Sequence, residues 1–178
     1  ADVEYLAAIP SAGDLDAASI AEQYRMFAST RNEFDTVFYA DATGRVVAIV
    51  EGVFRSDIFN RDYFLEAQSG SATVTDVIRE PVTGKNVIVF AVPVLDRDGE
   101  FRGVAVGTVE LATIDSIMSR FRFGNTGETF LLNQDGYRIT RPRDKPDMSR
   151  MSERYDTEIV RRAASGSQER AAYTNHEG

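Results

Sequence analysis

One ten-residue pattern occurs twice in this chain, and no other feature constrains the fold as much. Phe38-Tyr39-Ala40-Asp41-Ala42-Thr43-Gly44-Arg45-Val46-Val47 is matched in register by Phe130-Leu131-Leu132-Asn133-Gln134-Asp135-Gly136-Tyr137-Arg138-Ile139. Each copy is an apolar run ending in Asp or Asn, two polar residues, a Gly and a second alternating run. That order spells a strand, a tight turn and a returning strand, because Asp or Asn bonds its own backbone and Gly accepts the positive φ of the turn. The copies lie about 90 residues apart, which predicts one small module built twice.

The rest of the chain fills in that plan. Val3 to Ile9 is helix-compatible, and Asp14 or Asp16 caps a second helix with Leu15, Ala18, Ala21, Tyr24 and Phe27 at near-helical spacing. Thr36 to Ala40 and Arg45 to Val50 make the first hairpin, and Glu51 to Asn60 reads as a loop over the sheet. Asn60 then caps a short helix, Arg61 to Gln68, stopped by Ser69-Gly70. Three strands follow, Ser71 to Ile78, Lys85 to Val94 and Phe101 to Leu111, separated by the turns Pro81-Val82-Thr83-Gly84 and Asp96-Arg97-Asp98-Gly99. Leu111, Ile114, Ile117, Met118 and Phe121 form the stripe of a linking helix. Glu128 to Thr140 starts the repeat; Pro142 to Pro146 is a charged loop, Thr157 to Ala164 a helix and Gln168 to Thr174 a strand. The expected class is α+β: antiparallel sheet with helices on one side, duplicated, with the last strands of the second copy missing.

Composition removes whole classes of chemistry. A formal charge of −8 argues against nucleic acid or an anionic membrane surface as partner. There is no cysteine, and the single histidine is His176, so thiol chemistry, His-ligated haem and His-rich metal sites are poor expectations. The longest nearly pure apolar run, Val87 to Leu95, is far short of the ~20 residues a spanning helix needs. The chain opens on Ala1 without a signal-peptide pattern, which fits a processed protein or, better, a piece of a longer one.

In order and spacing these residues resemble the double Cache family, the extracytoplasmic sensor regions of bacterial and archaeal membrane receptors. Asn60-Arg61-Asp62-Tyr63-Phe64 with Ala67 and Gly70 is similar to the family's R-x-[W/Y]-[F/Y] helix. Val77 through Thr83-Gly84-Lys85, then Phe90-Ala91-Val92-Pro93-Val94, Asp96, Asp98-Gly99 and Gly103-Val104 resemble its central meander. Gly124 to Gly136 resembles the opening of its membrane-proximal module. The resemblance implies two tandem PAS-like modules, each an antiparallel sheet flanked by helices, behind an N-terminal helix that supports a homodimer. It divides the chain into an N-terminal helical segment (1–33), a membrane-distal ligand-binding module (34–110), a linking helix (111–123) and a membrane-proximal module (124–178). It also implies a membrane-anchored parent whose cytoplasmic output is most often a histidine kinase, with a chemoreceptor or diguanylate cyclase as alternatives.

Arg61 is the sharpest candidate for ligand contact. In the first turn of a helix a cation meets the positive end of the dipole, and an anion it must bind would explain its presence there. A guanidinium fork is also a good carboxylate receptor. The plainer alternative is a surface Arg paired with Asp57 or Asp62. Tyr63 and Phe64 wall the site or plug the core above the sheet. Amino-acid-binding members of the family carry an Asp that grips the ligand ammonium where this chain has Thr108, and a Tyr where it has Ile78. An unpaired buried ammonium is costly, so the expected ligand is a small organic carboxylate with an uncharged amine or none, held by Arg61 with Tyr63, Thr108 and either Asp76 or Tyr39 as hydrogen-bonding partners. Glu110, on the face of Thr108, either replaces the missing anion or is an exposed rim carboxylate.

Two further stretches are expected to be structural. Asp96-Arg97-Asp98-Gly99-Glu100 has the start of a calcium loop without its later ligands, and reads as a hairpin turn. Arg141, Arg143, Lys145 and Arg150 read as a solvated basic flap, with lipid headgroups as the lesser alternative. No cofactor, metal or nucleophile–base–orienter set is expected, so the chain reads as a binding module rather than an enzyme. The competing readings are a ligand-free dimerisation region and a PAS-type sensor with a bound chromophore.

Overall fold

In the computed structural model, which describes residues 2–11, 16–51, 57–81, 83–121, 127–142, 149–166 and 168, the chain divides into two units, Ala1–Ile114 and Asp115–Gly178. The first unit runs through helices α1 (Asp2–Ser11) and α2 (Ala17–Thr30), strands β1 (Thr36–Asp41) and β2 (Val46–Val50), and helix α3 (Asp62–Gln68). Strands β3 (Thr73–Val74), β4 (Ile78–Arg79), β5 (Asn86–Leu95) and β6 (Phe101–Glu110) follow, and then helix α4 (Leu111–Met118) begins. All pairings are antiparallel, in the order β2-β1-β6-β5, with β3 and β4 both on the free edge of β5.

The two long strands β5 and β6 form the middle of the sheet, and β6 is buried without interruption from Gly103 to Val109. Alternation is lost there because both faces are covered. Helices α1 and α2 pack on Val37, Tyr39, Ala105 and Val94 of one face. The other face, built on Phe38, Ala40, Val87, Val89, Val104 and Val106, carries α3 through Tyr63, Phe64 and Ala67, with Ile58 from the preceding segment. The expectation of helices on one side only is therefore corrected: a seven-residue helix too short for a long periodic signal seals the second face.

Asp16 caps α2 by accepting the Ser19 amide at 2.8 Å. Ile20, Tyr24 and Phe27 then form the buried stripe; Ala18, expected in it, is exposed, and Leu15 lies outside the described residues. The Tyr24 hydroxyl donates to the Leu6 carbonyl at 3.0 Å, fastening α1 to α2.

The strand expected from Ser71 to Ile78 is broken. Thr73 and Val74 pair with Ala91 and Phe90, whereas Ile78 and Arg79 pair with Val87 and Asn86, so three residues face two and the register slips by one. This is a bulge. The Thr75 side chain fills the gap in the ladder, its Oγ1 accepting the Val89 amide at 3.0 Å while its own amide donates to the Val89 carbonyl at 2.9 Å.

The second unit holds the second copy of the repeated pattern as a hairpin without extended strands; its described pairings are the single bridges Leu132–Arg138 and Tyr137–Arg154. Its turn nevertheless repeats the first bond for bond. Asn133 N–H donates to the Tyr137 carbonyl, Gly136 N–H to the Asn133 carbonyl and Tyr137 N–H to Asn133 Oδ1, as Asp41, Gly44 and Arg45 do among themselves. Asp96, Gly99 and Glu100 make the same set, so the calcium-like stretch is a hairpin turn.

Arg138 is buried beneath this hairpin, paired with Glu128 at 2.5 Å, bonded to the Thr140 carbonyl at 3.2 Å and lying over the Phe130 ring at 4.7 Å. Arg150 grips Asp115 through both guanidinium nitrogens, at 2.6 and 3.1 Å, and bonds the Ile139 carbonyl. It is thus half-buried and clamped, not part of a solvated flap; Arg143 and Lys145 lie outside the described residues. Helix α5 (Glu158–Ala164) is capped by Thr157 Oγ1, which accepts the Val160 amide. The strand expected over 168–174 falls, beyond Gln168, outside the described residues.

Candidate functional site

On the α3 face of the sheet, at the end where β1 and β6 start and finish, the first unit encloses a cavity of about 30 Å³. Thr36 and Phe38 of β1, Thr108 of β6 and Val87 and Val89 of β5 form its floor. Arg61 and Tyr63 close it from α3, and Ile78, Glu80 and Pro81 from β4 and the turn after it. Strand periodicity explains the floor: Val87 and Val89 stand two apart on one face, and Thr36 pairs directly with Thr108. The bulge explains the wall. The extra residue re-aims β4, so that Ile78 and Glu80 line the cavity while Arg79 turns away to bond the Gly84 carbonyl through Nε at 3.2 Å.

Arg61 is the N-cap of α3 rather than a first-turn residue. Its backbone is extended (φ −85°, ψ 138°), its N–H donates to the Ile58 carbonyl at 2.9 Å, and no side chain caps the helix, Asn60 included. It forms no ion pair with Asp57 or Asp62, the partners of the plainer alternative. Tyr63 is buried, and burial pushes its hydroxyl up to about 12; the Arg61 guanidinium opposes that rise and the Glu80 carboxylate adds to it. Two opposite charges therefore act on one phenol. Thr108 Oγ1 points toward the Thr36 carbonyl at 3.5 Å, too long for a strong bond.

Of the eight residues singled out by sequence, Arg61, Tyr63, Ile78 and Thr108 meet at this cavity. Four do not line it. Tyr39 lies on the opposite face, packed under α1 and α2, and its hydroxyl donates to the Arg102 carbonyl at 2.7 Å. Phe64 is turned inward against Phe101, with ring centroids 5.8 Å apart, and plugs the core. Asp76 sits in the bulge, exposed, its Oδ1 accepting the Val77 amide. Glu110 shares the face of Thr108 but is bound by Lys85 at the strand end.

The residue that sequence reasoning passed over is Glu80. Its carboxylate accepts the Thr83 hydroxyl, and its backbone closes the turn, Glu80 N–H to the Lys85 carbonyl and Gly84 N–H to the Glu80 carbonyl, both at 2.8 Å. A period of two carried on from Ile78 finds it. Among the described residues no group of three His, Asp or Glu side chains is placed to hold a metal ion. No described helix is long and apolar enough to cross a membrane.

A family model, dCache_1 (Cache domain), matches residues 2–177. A search of curated proteins finds no match. Among solved structures, the ligand-binding domain of the Pseudomonas fluorescens chemoreceptor CtaA with L-serine is 25% identical, with a TM-score of 0.66 over 84% of this chain and 64% of that one. The ligand-binding domain of the Pseudomonas aeruginosa amino acid chemoreceptor PctC with GABA is also 25% identical, with a TM-score of 0.65 over 81% of this chain and 66% of that one. The extracellular domain of the putative histidine kinase rpHK1S-Z16 is 22% identical and shares the fold, with a TM-score of 0.73 over 93% of this chain and 70% of that one. The chain thus spans slightly less than two thirds of the two chemoreceptor domains.

Proposed function

This chain belongs to the double Cache family, and on that premise we propose that it is the extracytoplasmic sensor region of a membrane receptor, binding a small carboxylate through Arg61 in its first unit. The observation that carries the reading is the meeting of Arg61, Tyr63 and Thr108 at one cavity whose remaining wall is largely apolar. A guanidinium unpaired with the neighbouring carboxylates, beside a buried phenol, suits a carboxylate that brings its own charge. The ligands named for CtaA and PctC, L-serine and GABA, both carry a carboxylate. Thr108 in place of an ammonium-gripping Asp favours, taken alone, an acid without an amine. The two units serve as distal binding and proximal relay modules of a homodimer. The output is a histidine kinase, with a chemoreceptor as the alternative that CtaA and PctC support.

Micromolar affinity requires about 8 kcal/mol. A charge-assisted bond at Arg61 contributes roughly 1.5–3 kcal/mol of it, and enclosure must add the rest. Calorimetric titration of the folded chain with a panel of small carboxylates tests the reading. One or more should bind, and Arg61→Ala should weaken that binding about ten- to hundredfold. Unchanged affinity in the variant would overturn it.

A specific observation supports a second reading. Ligand pockets usually enclose about 300–1,000 Å³, and 30 Å³ holds little more than a water molecule. Ligand entry must therefore move the turn at Pro81 or the Arg61 side chain outward; a site that stays shut would leave a spacing and dimerisation role. Thermal shifts separate the two, because a shut site gains stability from no member of the panel.

A further inference from the structure

Helix α4 passes from the first unit to the second between Ile114 and Asp115. Its root is pinned. Glu110, the residue before it, donates its amide to Asp35 Oδ2 at 2.5 Å and binds Lys85 through its carboxylate, and Leu111 is buried. Asp115 stands four residues after Leu111, about one turn on and on the same face of the helix. There the second unit takes hold. Asp115 Oδ1 accepts the Arg141 amide at 3.0 Å and Arg150 Nη1 at 3.1 Å, and Oδ2 accepts Arg150 Nη2 at 2.6 Å. Arg150 is itself fixed to the hairpin: its Nη1 also donates to the Ile139 carbonyl at 2.9 Å, and the amide of the next residue, Met151, donates to the Arg138 carbonyl at 2.9 Å.

Other ion pairs of this unit are of a different kind. Arg161–Asp156 and Arg162–Glu158 are exposed at both partners, and such pairs contribute little. Arg150 and Asp115 are only 14% and 23% exposed, joined by a fork whose loss leaves a half-buried charge without its counterpart. We propose that Asp115 and Arg150 form a latch by which the second unit holds the helix that leaves β6. Closed, it makes the hairpin and α4 open and move as one body; open, it frees the helix after its first turn. The latch depends on no ligand and stands whether or not the cavity of the first unit binds a carboxylate.

Hydrogen exchange on the whole chain tests it, because a latch couples elements that a merely local ion pair leaves independent. The Ser119 amide, bonded to the Asp115 carbonyl, reports on α4. The Arg138 and Ile139 amides, bonded to the Glu153 and Leu131 carbonyls, report on the hairpin. In the unmodified chain all three should open together, with the same dependence on urea. Asp115→Asn, which keeps an oxygen for the Arg141 amide, should speed exchange at Arg138 and Ile139 about tenfold. Arg150→Gln should do the same at Ser119. Asp156→Asn, which breaks an exposed pair, should change none of them. Exchange that quickens only in the element carrying the substitution overturns the latch. If a variant does not fold, the unmodified chain decides, since separate opening of Ser119 and the hairpin amides overturns it equally.

Discussion

Asp41 and Asp96 close identical turns, yet the glycine three residues on stands in different company. Gly44 and Gly99 have φ values of 83° and 84°, so the strain of placing an L-residue there is common to both, about 1 kcal/mol. A Cβ on Gly99 would meet nothing within 4 Å, whereas one on Gly44 would lie 2.5 Å from the Phe59 amide nitrogen. In urea denaturation Gly99→Ala should therefore cost about 1 kcal/mol and Gly44→Ala about 2–4 kcal/mol; equal losses would mean that the Phe59 backbone gives way freely. The turns are legible because Asp or Asn followed by Gly is a local signal. What backs each turn is not, since Phe59 is brought to Gly44 by the bond from the Ile58 amide to the Gly44 carbonyl, and nothing local announces that bond. Arg61 shows the same limit: its residue type is readable, but its place as N-cap depends on the Ile58 carbonyl that takes its amide.

The bulge between β3 and β4 decides which side chains reach the cavity. Thr75 is its keystone, because replacing its oxygen by a methyl group takes from the Val89 amide the side-chain acceptor it bonds. Thr75→Val should lower stability by about 1–3 kcal/mol and weaken ligand binding as Ile78 and Glu80 lose their aim, while Thr75→Ser should preserve both. Chemical denaturation and calorimetry on the pair of variants provide the check. No Gly or Pro marks this bulge, which is why Asp76 reads as a residue of the cavity wall in an unbroken strand, whereas in the structure it does not line the cavity. Tyr39 lies away from the cavity for a related reason. Alternation separates Tyr39 from Phe38, but a strand buried on both faces does not say which face holds the site.

Over the whole first unit, burial raises the Asp35 carboxyl above its usual range; the neighbouring Glu110 adds to the rise and Lys85 opposes it. Asp35 Oδ2 nevertheless accepts the Glu110 amide at 2.5 Å, at the end of β6. A carboxyl whose native value is raised binds its proton more tightly folded than unfolded, so its ionisation costs stability. That cost is absent below the ordinary carboxylate value, about 3.9, and complete once the pH has risen past the raised one. Asp35→Asn keeps an oxygen for Glu110 without the charge. Thermal melts should show it more stable than the parent at pH 7 and equal to it below about pH 3.5; a constant difference across that range would assign the effect to packing.

Strand β6 holds Thr108 at the cavity and ends at Glu110, and α4 begins at the next residue, the buried Leu111. With no loop between them there is no slack: a displacement of the strand by one ångström is inherited by the root of the helix instead of being absorbed. Three or four glycines inserted after Glu110 should therefore leave the affinity for a ligand of the first unit intact by calorimetry while loosening the root of α4 from the strand.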